Sequence, residues 1–119
     1  MQDFRKLKVW EKSHKLTIDL YKITQLFPKE HLYVIGNQIR RSVNSIPANL
    51  AEGCGRGSDA DFRRFVQIAM GSASELEYHL LLSRDLDLMN DEIYEIMNKQ
   101  IIEIKRMLTT LIQKLKADS

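Results

Sequence analysis

Ile39-Arg40-Arg41-Ser42-Val43-Asn44-Ser45-Ile46-Pro47-Ala48-Asn49-Leu50-Ala51-Glu52-Gly53-Cys54-Gly55-Arg56-Gly57 is the stretch on which the fold turns. Ile39, Val43, Ile46 and Leu50 recur at steps of four and three, the period of a helix with one apolar face. Pro47 falls inside that pattern. It lacks the amide that would bond the Val43 carbonyl, a change worth about 3 kcal/mol in a regular helix interior. The apolar stripe keeps its phase on both sides of Pro47, so the spacing predicts one kinked helix instead of two short ones. Gly53, Gly55 and Gly57 are then expected to end it through positive-φ positions that side chains resist.

Upstream, Leu32 and Ile35 extend the same stripe, giving a helix over about 31–53. Before it, Val9, Leu16, Leu20, Ile23 and Phe27 predict a helix over about 7–27, closed by Pro28. Trp10, His14, Tyr21 and Thr24 form a second stripe beside the first. Downstream, Ser58-Asp59-Ala60-Asp61 resembles a capping box that opens a helix over about 58–86. Its stripe is Phe62, Phe65, Ala69, Ser72 or Ala73, Leu76 and Leu80. Gly71-Ser72-Ala73-Ser74 makes its middle thin, which is expected to admit another backbone closely. The last helix, about 91–116, carries Ile93, Met97, Ile101, Ile104, Leu108, Leu111 and Leu115 in a near-heptad run. Four long helices with short loops predict an all-α, antiparallel up-down four-helix bundle as a single domain over 1–119. The second stripe of the first helix, and Ile96, Ile102, Met107 and Ile112 on the fourth, exceed what one bundle buries. Self-association is therefore expected.

A chain of 119 residues is long enough to bury a core without disulfide or metal staples. Cys54 is the single cysteine, which excludes an internal disulfide and fits a reducing, cytoplasmic setting. Met1-Gln2-Asp3-Phe4-Arg5-Lys6 leads into no apolar run and does not read as a signal peptide. No segment has the ~20 apolar residues that span a bilayer, so no membrane partner is expected. Net charge is only +2, yet it is unevenly spread. Residues 1–64 hold twelve Lys/Arg against seven Asp/Glu, and residues 65–119 hold six against nine. That asymmetry marks either an anionic partner or two surfaces that meet in an assembly.

Chemistry of the catalytic kind is sparse. A di-iron bundle needs Glu-x-x-His on two helices, whereas Glu75 and His79 stand four apart and nothing repeats the pair. Gly53-Cys54-Gly55-Arg56-Gly57 lacks the Gly-Lys-Ser/Thr ending of a phosphate loop and follows a helix, not a strand. Cys54 has no histidine near it in sequence, and no serine sits in a nucleophile motif. No enzyme, cofactor or metal is expected.

The basic residues are more suggestive. Arg40, Arg41, Arg56, Arg63 and Arg64 bracket the glycine turn, the last three as the candidate phosphate contacts, and Lys8, Lys12 and Lys15 share a helix face at i, i+4 and i+7, a spacing suited to tracking phosphates. An ordinary solvated face is the competing account of the lysines, since Glu11 and Asp19 are interspersed. Arg41 lies near the Ile39/Val43/Ile46 stripe and is expected to be partly buried, with Glu52 or Glu75 as its partner. Arg41, Asn49, Glu52, Ser72 and Glu75 then form a polar network in the core or at a subunit seam.

Trp10-Glu11-Lys12-Ser13-His14-Lys15-Leu16, Phe27-Pro28, Gln38-Ile39-Arg40-Arg41-Ser42, Ser45-Ile46-Pro47-Ala48-Asn49-Leu50-Ala51-Glu52-Gly53 and Ile68-Ala69-Met70-Gly71-Ser72-Ala73-Ser74-Glu75-Leu76 resemble a bacterial family of four-helix bundle proteins. That family takes its name from open reading frames in intervening sequences of the 23S rRNA gene. The resemblance covers nearly the whole chain and implies a compact up-down bundle assembling into a ring-shaped homopentamer. The accessory protein of diversity-generating retroelements is similar to this family, and it implies work beside a reverse transcriptase and nucleic acid. The expectation is thus a non-enzymatic, cytoplasmic, oligomeric bundle that binds RNA or DNA through backbone phosphates. The alternative is a protein-interaction scaffold or accessory subunit, for example of a reverse transcriptase, without nucleic-acid contact.

Overall fold

A computed structural model describes residues 3–118, with the side chain of residue 118 left out of the description. Every element among the described residues is helical, and four long helices make one domain. A 3-10 turn, Phe4–Lys6, leads into α1, Lys8–Thr24. Helix α2 runs over 29–54 in three joined pieces: Lys29–His31, a π-helical turn Leu32–Gly36, and Asn37–Cys54. Asp59–Asp85 is α3 and Asp91–Asp118 is α4. The molecule measures 45 × 21 × 20 Å. Its long dimension is about that of α4, whose 28 residues rise about 1.5 Å each.

Packing follows chain order. Helix α2 lies against α3 and α3 against α4, while α1 touches α2 well and α4 more sparsely. Leu16 and Leu20 from α1 are fully buried, as are Ile39, Val43, Ile46 and Leu50 from α2. Ala69, Ala73, Leu76 and Leu80 of α3 meet Ile101, Ile104 and Leu108 of α4 in the same core. The stripes set by sequence period are the faces that lose water, each large side chain contributing about 1.5–3 kcal/mol.

Pro47 is buried inside α2, and the helix continues through it. The Val43 carbonyl that Pro47 leaves without an amide sits 3.3 Å from the Thr17 hydroxyl of α1. That hydroxyl also donates to the Ser13 carbonyl at 2.7 Å. The gap in the α2 ladder is thus met from a neighbouring helix.

Several details depart from the sequence expectation. No glycine among the described residues takes a positive φ. Helix α2 ends instead through tightened i→i+3 bonds, Gly55 to the Glu52 carbonyl and Arg56 to the Gly53 carbonyl. What glycine supplies at Gly53 is room: an added Cβ would lie 2.8 Å from Phe62 Cδ1 and 2.9 Å from Phe65 Cβ. The thin stretch of α3 divides as well. Ala69 and Ala73 face the core and Ser72 meets Ser45 of α2, but Gly71 and Ser74 are exposed, with nothing near Gly71.

The second stripe of α1 also divides. Thr24 is fully buried and donates to the Leu20 carbonyl, Trp10 is half-buried against Phe4 and His14, and only His14 and Tyr21 are exposed. On α4, Met107 and Ile112 pack onto the core, leaving Ile96 and Ile102 exposed.

Helix ends carry their own chemistry. Ser58 Oγ caps α3 by accepting from the Asp61 amide at 3.2 Å, and Asn90 Oδ1 caps α4 by accepting from the Ile93 amide at 2.8 Å. Helix α3 ends in a Schellman turn. The Leu88 amide bonds the Ser83 carbonyl, the Asp87 amide bonds the Arg84 carbonyl, and Asp87 stands at φ 60°.

Candidate nucleic-acid interface

The turn between α2 and α3 gathers Arg56, Arg63 and Arg64, while Arg40 and Arg41 lie back along α2. Arg56 and Arg64 each set a guanidinium 4.9 Å from the centre of the Phe65 ring. Phe65 is itself buried, so the ring is a fixed floor on which two cations rest. Arg56 also donates to Glu52 Oε2 at 2.8 Å. Arg64 is exposed and makes no ion pair among the described residues. Arg63, next in sequence, is half-buried. Beside them a hollow of about 280 Å³ opens between Gly53, Cys54, Arg56, Gly57, Ser58, Asp59 and Phe62.

The Phe4–Lys6 turn packs against α2, which brings the start of α1 to this end of the bundle. Lys8 is exposed there and makes no ion pair among the described residues. Lys12 and Lys15 lie instead along the α1–α4 seam, where they line a hollow of about 200 Å³ with Gln100, Glu103 and Ile104. Each is already engaged, Lys12 with Glu103 at 3.1 Å and Lys15 with Asp19 at 3.8 Å. The candidate cations therefore fall into two groups, one at the α2–α3 turn and one on the seam.

Cys54 is buried at the edge of the turn. Burial pushes its thiol above the ordinary value, and the negative charge of Asp3 pushes it further the same way. A thiol held protonated is a poor nucleophile and a poor metal ligand. No three metal-ligating side chains gather anywhere among the described residues.

The residues grouped as a polar network occupy three places. Arg41 Nη2 donates to Glu75 Oε2 at 2.9 Å and to Gln38 Oε1 at 2.7 Å, tying α2 to α3. Arg41 is not partly buried as expected, since 67% of its side chain is exposed. Position 41 falls on the outer side of α2, next to buried Ser42 and Val43, not on their face. Glu52 turns away to Arg56. Asn49 Nδ2 donates to the Ser45 carbonyl at 2.7 Å and to Ser45 Oγ at 2.9 Å, and Ser72 Oγ donates to Ser45 Oγ at 2.8 Å.

His79 joins the first group, its Nε2 lying 3.3 Å from Glu75 Oε2. A carboxylate accepts, so Nε2 is the donor of this pair, and the buried Nδ1 has no hydrogen-bond partner among the described residues.

Two basic side chains hold helices together in a way the sequence did not indicate, Arg40, one of the basic candidates, and Lys105. Arg40 Nε donates to Thr24 Oγ1 at 2.8 Å and Arg40 Nη2 to the Tyr21 carbonyl at 3.0 Å, with the guanidinium 4.9 Å from the Tyr21 ring. This arginine clamps the end of α1 to α2. Lys105 Nζ reaches Glu77 Oε1 at 2.7 Å and ties α4 to α3. A basic residue placed one or two positions off an apolar stripe was the only available signal for either.

The comparisons agree with the helix pattern. A solved structure from Bacteroides thetaiotaomicron, of a protein of unknown function from the S23 ribosomal protein family, matches with a TM-score of 0.83. Identity is 32%, over 88% of this chain and 95% of that one. No curated protein matches the chain. The family model described as 23S rRNA-intervening sequence protein matches residues 5–110, so the chain belongs to that family.

Proposed function

We propose that the protein is a non-enzymatic homo-oligomer of antiparallel up-down bundles that binds structured RNA or DNA through backbone phosphates. Arg56, Arg63 and Arg64 carry the contact, and Lys8, Lys12 and Lys15 support it. The observation behind this reading is the pair of guanidinium groups held 4.9 Å from one buried ring, with Arg64 free of any acidic partner among the described residues. Cations fixed on a rigid floor lose little entropy on meeting a phosphate. Phe65 is buried and offers no stacking face to an unpaired base, which favours duplex backbone over single strands. Binding by such a patch is read by its salt slope, with about 0.7–0.9 log units lost per phosphate contact removed. Affinity for a structured RNA hairpin that stays constant from low to high salt would rule the mode out.

Assembly is the second half of the proposal. Ile18, Ile68, Tyr78, Ile96 and Ile102 remain exposed along the helices, apolar side chains that contact between copies would cover. A ring of five follows from the family resemblance. Light scattering at micromolar concentration then reports five times the 13.9 kDa chain mass, and a value of one chain mass rejects it.

The alternative, a scaffold or accessory subunit for another protein such as a reverse transcriptase, draws on Leu26, Tyr33 and Val34. These are exposed by 84, 67 and 62% within one corner of the chain. It expects a protein partner whose co-purification survives nuclease treatment.

A further inference from the structure

Where the start of α1 meets the last turns of α4, a groove of about 300 Å³ runs along the surface. Leu7, Val9, Met107 and Leu111 supply its apolar floor, and Lys8 and Lys114 stand beside it. Both lysines are exposed, and neither makes an ion pair among the described residues. Leu7 has no polar side chain to cap α1, so the partial positive charge of that helix start adds to the lysines.

We propose that this groove docks an acidic segment of a partner protein, one bulky apolar side chain seated on Met107 and Leu111 with carboxylates against Lys8 and Lys114. Charge complementarity selects the occupant. A nucleic-acid backbone would satisfy the lysines but has no apolar group to cover the floor. A fatty acid offers both chemistries, yet the groove is open along its outer side and cannot enclose an acyl chain as such ligands require. An acidic peptide with one apolar anchor matches the floor and the rim together.

This inference goes beyond the phosphate reading and shares only Lys8 with it, so the test turns on Lys114. The full chain is titrated, by fluorescence anisotropy, into a labelled hexapeptide with Leu-Phe at its centre and two acidic residues on each side. Expected is saturable binding, weakened about tenfold by Lys114→Glu and again when Leu-Phe becomes Ala-Ala. The peptide change needs no protein variant, so the test stands even where a variant folds poorly. Absent saturation, or equal binding by the Ala-Ala peptide or by Lys114→Glu, overturns the proposal. A changed sedimentation coefficient for Lys114→Glu alone also overturns it, because the groove then belongs to a second copy. Failure of the unaltered chain to bind the peptide, while it still binds RNA, rejects this inference only and leaves the phosphate reading standing.

Discussion

The Val43 carbonyl shows how one residue's defect becomes another's role. Pro47 removes its amide donor, and the Thr17 hydroxyl comes within 3.3 Å of it from the next helix. Replacing Thr17 by Val keeps the shape and deletes the donor, at an expected cost of about 1–3 kcal/mol in chemical denaturation. In a Pro47→Ala background the restored amide takes over, and the same Thr17→Val change then costs much less. Additive costs would show that the two sites do not communicate.

Asp87 is a second case. It holds the left-handed position of the Schellman turn, and its charge faces the negative pole of α3. Asp87→Asn keeps the backbone tolerance and drops the charge. The expected gain is about 0.3–1 kcal/mol at low ionic strength, shrinking in high salt. A loss of stability would contradict this account of the turn.

Cys54 gives a pH signature. Its folded pKa is raised by burial and then by Asp3, so above the ordinary value of about 9.0 the unfolded chain releases a proton that the folded chain keeps. Stability is unaffected below that pH and falls as pH rises through the window above it. Cys54→Ala flattens the decline above about pH 9.0, beyond the fall common to both proteins.

At the scale of elements, apolar spacing was enough to locate all four helices, because burying one apolar face is what holds each helix in the bundle, and the period of that face is written in residue order. The continuity of α2 through Pro47 was legible for the same reason. Its π-helical turn at Leu32–Gly36 was not. One extra residue in a turn leaves a pattern of leucine, isoleucine and glycine that an α-helix tolerates equally well. The glycine turn misled in another way. Positive φ was the expected use of Gly53, whereas the structure uses its missing side chain to bring α2 onto Phe62 and Phe65. Gly53→Ala is therefore expected to cost about 1–3 kcal/mol through overpacking. Thermal melting of the variant checks it, and an unchanged melting temperature would mean that the Phe62 ring and the α3 backbone at Phe65 move aside freely.

Of the candidate site, sequence adjacency made Arg56, Arg63 and Arg64 legible, and the fold sets two of them on one ring. The lysine stripe was harder to judge. Its helical phase was visible, but the acidic residue that engages Lys12, Glu103, lies about ninety positions away and nothing local announces it. Arg40 failed for a similar reason: an arginine beside an apolar stripe reads as a surface cation until the far helix end it clamps is known.

For the whole molecule, the charge asymmetry along the chain divides between two ends. Of the first half's basic residues, Lys8, Arg56, Arg63 and Arg64 lie toward the end where α1 begins and the α2–α3 turn lies, while Lys22, Lys29 and Arg40 lie toward the opposite end. Phosphate binding by the end with the α2–α3 turn is the central claim, and the salt dependence of affinity for a structured RNA hairpin tests it most directly. The measurement compares the unaltered chain with Arg56→Gln/Arg64→Gln, both confirmed helical and equal in assembly state. The account predicts a steep negative slope of log affinity on log salt, shallower by about 1.4–1.8 in the double variant. Equal slopes for the two proteins, or no binding at low salt, would contradict it.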